Sequence, residues 1–223
     1  MRRLGIPVAG LLTLCAVLLG PATGAQAATR DPVVFVHGYL STNSVWDTAA
    51  RTFQNAGYPS SRVFRFQYNY NQSNVTSARQ LQTFVNNVLA STGASKVDLV
   101  NHSMGGLVTR YYVKNLGGTG VVDQWASLAG ANHGTQTANL CSGFAASCRE
   151  MTPGSAFLQQ LNVGDETPGA VEYRTWSSAC DGVIIPFSST ALAGATNTDA
   201  GCVAHTSFPS DPTVLSQLVN YLD

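Results

Sequence analysis

The segment Val100-Asn101-His102-Ser103-Met104-Gly105-Gly106 constrains this chain most, because it separates two patterns that must pack against each other. Lys96 to Val100 is a short apolar run of strand type, and Leu107 to Leu116 has helical spacing that ends at Gly117-Gly118. A strand that becomes a helix within so few residues needs small side chains where the two meet, and Gly105 and Gly106 provide them. A serine on so sharp a turn is pushed above the sheet, where its hydroxyl and the next backbone N–H face the same space.

The flanking patterns repeat the alternation. Pro32-Val33-Val34-Phe35-Val36 reads as a strand buried on both faces and ends at His37-Gly38-Tyr39. A helix capped by Asn43 or Ser44, with Asp47 completing a capping box, is predicted to run through Ala56 and to stop at Gly57 and Pro59. A strand from Arg62 to Phe66 follows. Val75, Ala78, Leu81, Phe84, Val85, Val88 and Leu89 then recur at helical spacing until Gly93. Val121 to Leu128 and Val171 to Trp176 read as further strands, and Pro212 to Leu222 as a closing helix capped by Ser210 or Asp211. Between them, 132 to 153 shows no clean period and is expected to be a long functional or stapled loop. Strands alternating with helices imply a mostly parallel sheet with helices on both faces, the α/β class.

Arg2, Arg3, the apolar run Leu4 to Leu19 and the small residues Ala25-Gln26-Ala27 have the pattern of a cleaved secretory leader covering 1–27. About 196 residues then remain, which suits a single domain over 28–223. Without Arg2 and Arg3 there are ten basic and twelve acidic residues, only two of them lysine, so no basic face is available for nucleic acid. No apolar stretch past the leader is long enough to cross a bilayer. Cys141, Cys148, Cys180 and Cys202 read as two disulfides of an exported chain. Three pairings are possible, and Cys141–Cys148 with Cys180–Cys202 is the one expected. The spacing lacks the pairs of a zinc site, and no phosphate loop, calcium loop or His-Glu-x-x-His occurs, so no cofactor or metal is expected.

The segment around Ser103 resembles the nucleophile elbow of the α/β-hydrolase lipases, most closely the small secreted bacterial class 2 lipases, in which His-Ser-Met-Gly-Gly is common. Val33-Val34-Phe35-Val36-His37-Gly38 is similar to the strand and His-Gly loop of that family, and the resemblance spans most of the chain past the leader. In the first elbow position, usually Gly or Ala, this chain has Asn101. The resemblance implies an α/β-hydrolase fold and an ester hydrolase in which Ser103 is the nucleophile; the sequence shows no long amphipathic lid segment, so little or no lid is expected. The backbone N–H groups of Tyr39 and Met104 would form its oxyanion hole.

A serine hydroxyl needs a base, and a base needs a carboxylate that fixes its tautomer. There are four histidines. His102 is next to Ser103 and should point to the opposite face. His37 reads as structural, and His133 as packing or holding a loop. His205 remains, just before the last helix, in the chain order of nucleophile, acid and base that this fold uses. Cys180-Asp181-Gly182 resembles the acid-bearing turn of these lipases, which favours Asp181 over Asp165, Glu166 and Asp199. A Cys180–Cys202 bond would tie the turn of Asp181 to the loop of His205. The expected protein is a secreted monomer acting on a small-molecule or lipid ester, with interfacial contact at most. A cutinase-like polyester hydrolase and a non-catalytic binding protein on the same fold are the alternatives.

Overall fold

The structure is a computed structural model that describes residues 30–223, together with Met1 and Gly5; the expected leader and its Ala25-Gln26-Ala27 site lie outside the described residues. Six strands, β1 (Val33–Val36), β2 (Val63–Phe66), β3 (Val97–His102), β4 (Val122–Leu128), β5 (Glu172–Ser177) and β6 (Thr196–Asp199), form one all-parallel sheet in the order β2-β1-β3-β4-β5-β6. The helices are α1 (Asp47–Asn55), α2 (Asn74–Thr92), α3 (Gly105–Asn115), α4 (Ala146–Met151), α5 (Ala156–Asn162) and α6 (Pro212–Tyr221).

Strand alternation decides which helix covers which face. Phe35, Val100 and Ala126 stand in one register row, and Phe35 packs on Trp46 and on Phe53 of α1. Two residues beyond that row, Trp176 donates its indole N–H to Gln217 of α6 at 2.8 Å. On the other face Phe66 meets Phe84 of α2, and Trp125 donates to Thr109 of α3 at 3.0 Å. Helices α1 and α6 therefore cover one face and α2 and α3 the other, with Trp46, Trp125 and Trp176 fully buried between the layers.

Several local expectations are corrected. The capping box at Asn43 or Ser44 does not form: residues Asn43–Trp46 make a 3-10 turn, α1 begins only at Asp47, and Asp47 pairs instead with Arg65. The stretch 132–153 contains a 3-10 turn at Gln136–Leu140 and the short helix α4. Helix α5 and strand β6 had no counterpart in the sequence patterns. Strand β6 is an edge of Thr-Asn-Thr-Asp that buries almost nothing, so no apolar alternation marks it. Elsewhere the caps match: Gly93 ends α2 at φ 66°, and Asp211 accepts from the N–H groups of Thr213 and Val214 at the start of α6.

At the N-terminal edge of the sheet Asp98 is buried beside Asp31 and Asp123, and accepts from the Gln124 N–H at 3.2 Å. Burial, then the neighbouring Asp31 charge, pushes its carboxyl up to about 8. The folded state thus holds a proton that the unfolded chain releases near 3.8, so stability is lost as pH rises between those two values. Asp98→Asn keeps an acceptor and has no charge to bury. It should exceed the parent in urea melts at pH 8.5 by about 1–3 kcal/mol and differ little near pH 4.

Candidate active site

Ser103 follows β3 directly and lies at φ 58°, a left-handed conformation that a residue with a β-carbon rarely adopts. Three backbone bonds hold it there. Its N–H donates to Leu128 O at 3.1 Å, and its own carbonyl accepts from Gly106 N–H at 3.0 Å and Ala131 N–H at 3.1 Å. Close approach explains the glycines around it. A β-carbon on Gly38 would stand 2.7 Å from that of Ser103, and one on Gly105 2.7 Å from Val36 O. Asn101 fits the first elbow position because its side chain points beneath α3 into a buried network. It donates to Ala126 O at 2.9 Å and accepts from Ser127 Oγ at 2.8 Å, and Asn132 reaches the same Ser127 oxygen. Gly106 makes the room, since a β-carbon there would be 3.2 Å from Asn101 Oδ1.

Ser103 Oγ lies 2.9 Å from His205 Nε2, and His205 Nδ1 lies 2.8 Å from Asp181 Oδ2. All three side chains are buried. With the carboxylate at Nδ1, that nitrogen carries the proton and Nε2 presents its lone pair to the hydroxyl. The other carboxylate oxygen, Oδ1, accepts from Val183 N–H at 2.9 Å and Ile184 N–H at 2.6 Å. Burial alone would push the Asp181 carboxyl up. The bonds from His205, Ile184 and Val183 outweigh it and hold the group below the usual carboxylate range. His205 and Asp181 sit on loops, and these loops are fastened: Cys180 is bonded to Cys202, and His205 N–H donates to Asp181 O at 3.1 Å. Cys141 is bonded to Cys148.

The other histidines are engaged elsewhere. His37 stacks on Tyr68 at 4.3 Å and donates Nδ1–H to Gly38 O at 2.9 Å, which steadies the Gly38-Tyr39 turn. His133 bonds Ser189 O and Glu166, with Nε2 2.7 Å from the carboxylate, and so links the loop after β4 to residues 187–193. His102 points away from Ser103, as strand alternation requires, and reaches the carbonyl of His205 at 2.9 Å. That contact was not legible in the sequence, for it joins residues 103 apart. Among the described residues, neither the Tyr39 nor the Met104 N–H donates to a protein acceptor. The turn that aims Tyr39 passes through Leu40 at φ 53°. Asp165 and Asp199 are exposed and cap their own turns, with Asp165 accepting from Thr167 N–H and Asp199 from Gly201 N–H.

Above Ser103 opens a cavity of about 550 Å³, with His102, Ser103 and His205 among its lining residues. Its walls are apolar. Tyr39, Leu40 and Val45 form one side, Val183 and Ile184 another, and residues 135–151 contribute Ala138, Leu140, Phe144 and Met151. Leu40, Leu140 and Phe144 leave 73%, 84% and 75% of their surface exposed, so the rim is apolar as well. A hydroxyl held by an imidazole beneath a largely apolar wall is an arrangement that can attack a bound carbonyl.

Comparison with known proteins agrees with this architecture. Residues 30–199 match the family model described as Lipase (class 2). A triacylglycerol lipase of Burkholderia plantarii is 36% identical over 117 residues, which are 48% of this chain and 32% of that protein. One of Vibrio cholerae is 31% identical over 142 residues, 61% of this chain and 41% of that protein. The chain thus matches well under half the length of these relatives. Among solved structures, Bacillus licheniformis lipase BlEst2 in its mature form superposes with a TM-score of 0.76 at 19% identity, covering 87% of this chain and 93% of that one. Aspergillus fumigatus lipase B gives 0.75 at 20% identity over 91% of this chain and 55% of its own. These structural likenesses bear on the fold, which is that of the α/β-hydrolases. With most of its length matched by the family model, the chain belongs to the class 2 lipases.

Proposed function

We propose that this chain hydrolyses carboxylic esters through an acyl-serine intermediate, and that lipid or acylglycerol esters are its substrates. The unbroken line of hydrogen bonds from Ser103 through His205 to Asp181, at the floor of an apolar cavity, is the observation that supports it most. His205 takes the Ser103 proton as Oγ attacks the carbonyl carbon. The oxyanion is met by the Tyr39 and Met104 N–H groups. His205 then gives its proton to the departing alcohol oxygen, and a water activated by the same imidazole releases the acid. Asp181 stays ionised and steadies the imidazolium. No cofactor enters.

The cavity favours an acyl chain over a polar substituent, because its wall offers few groups that would stay unpaired against a hydrocarbon. Two disulfides support an oxidising compartment, and with the leader pattern at 1–27 they favour a secreted enzyme whose catalytic domain is 28–223. No helix among the described residues is long and apolar enough to cross a membrane, so contact with lipid would be made by the apolar rim, one monomer at a time.

Ser103→Ala should lose at least about 10³-fold in turnover while keeping its melting temperature, and should no longer react with a fluorophosphonate probe. Full labelling of that variant would remove the mechanism. Gly38→Ala places a β-carbon against Ser103 and displaces the Tyr39 N–H. We expect about a 10²-fold fall in kcat with the fold intact by circular dichroism, and an unchanged kcat would show that Tyr39 N–H is no oxyanion donor. The segment over the cavity is pinned by Cys141–Cys148 and has only short helices. Rates on a short-chain triglyceride should therefore rise smoothly through its solubility limit; a sharp jump there would show that this segment opens.

A further inference from the structure

We infer that His102 is a positioning residue for the proposed ester hydrolysis, holding the imidazole of His205 in line with Ser103 through the backbone of His205. The inference rests on the assignment of Ser103, His205 and Asp181 made above and extends it to a fourth side chain.

His102 ends β3 on the face covered by α1, opposite to Asn101. It is buried, its ring lies edge-on to Trp46 with centroids 6.5 Å apart, and it packs on the His205 ring at 4.6 Å. Its Nε2 is 2.9 Å from His205 O. A carbonyl oxygen only accepts, so Nε2 carries the proton and Nδ1 is a bare lone pair. That Nδ1 is buried with no hydrogen-bond partner. A hydrocarbon or phenyl group would fill the same space without leaving a polar atom unsatisfied, which costs about 1–3 kcal/mol. The histidine is therefore explained by the one bond it does make.

That bond closes a frame. The segment carrying His205 is fastened to the Asp181 turn by the Cys180–Cys202 bond, by His205 N–H to Asp181 O, and by Val203 N–H to Ser178 Oγ at 2.9 Å. All three tie the base to the acid and none ties it to the nucleophile. Apart from the Ser103–His205 contact itself, the His102 bond is the hydrogen bond that joins this loop to the elbow, because His102 is the covalent neighbour of Ser103. A misplacement of 1 Å between reacting groups costs about 10²-fold in rate. Burial, and next the charge of His205 itself, lowers the His102 pKa to about 3, so its ring stays a neutral donor while His205 cycles through its cation.

The test compares His102→Gln, whose side-chain amide restores a donor near the position of Nε2, with His102→Met, which has similar bulk and no donor. On a soluble short-chain nitrophenyl ester, His102→Met should lose about 10- to 100-fold in kcat with KM within about twofold, and its rate of fluorophosphonate labelling should fall in step. His102→Gln should stay within about threefold of the parent. A kcat for His102→Met equal to that of the parent overturns the inference, as does equal impairment of both variants. Nitrogen-15 NMR of the parent protein decides the matter if His102→Met does not fold. It should show the His102 ring protonated at Nε2 and not titrating between pH 5 and 9, and a proton on His102 Nδ1, or a His102 midpoint near 6, overturns it. Absence of labelling in the parent would instead remove the serine mechanism on which the inference stands.

Discussion

The left-handed turn at Ser103 is the constraint on which the rest of the molecule depends. A residue with a β-carbon gives up about 1–2 kcal/mol to sit at such a φ, and it stays there only because its surroundings leave no alternative. Leu128, Gly106 and Ala131 hold its backbone by hydrogen bonds, so the end of β4 and the start of α3 are fixed by the same residue. Gly38 and Gly105 are needed because the end of β1 passes within contact distance of the turn. Parallel strands with right-handed crossovers bring the C-terminal ends of β1, β3 and β4 together, and that edge is where a site can be built.

Polar groups beneath the turn follow from the same geometry. With Asn101 in place of a smaller residue, an amide enters a space between sheet and helix that cannot be hydrated. Its donor and acceptor are met by Ala126 O and Ser127 Oγ, and Asn132 extends the network to Thr190 O. A buried amide satisfied on both ends locks the elbow to β4, whereas an unsatisfied one would weaken it. Arg110 continues the pattern behind it, donating to Asn132 O at 2.6 Å and Asn162 Oδ1 at 2.7 Å, which connects α3 to the end of α5.

On the other side of Ser103 the demands are kinetic. In the proposed mechanism the imidazole of His205 passes a proton between two oxygens, yet it sits on a loop with little regular structure of its own. Covalent and hydrogen-bonded ties replace the rigidity that a helix or strand would have supplied. Asp181 is likewise held, by His205 and by two backbone N–H groups of its own turn, which together keep it charged in a buried place. Opposite them the cavity wall is left apolar and partly exposed, which suits the acyl chain of the proposed ester substrate.

Much of this was written in local patterns. The strands β1 to β5, the helices α2, α3 and α6, and the elbow itself follow from periodicity, caps and glycines that act over a few residues, and such signals survive in a linear sequence. Ser103, His205 and Asp181 were singled out by motif and chain order, and the structure brings the three side chains into hydrogen-bond contact; the cysteines are joined in the expected one of three possible pairings. Other features had no local signal. The exposed edge β6, the short α5, the loss of a cap at Asn43 to the Asp47–Arg65 pair, the fit of Asn101 and the bond from His102 to His205 all depend on residues far apart in the chain. Hydrogen bonding and burial are settled by neighbours in space. A sequence fixes which groups are available, and only the packed fold decides which of them meet.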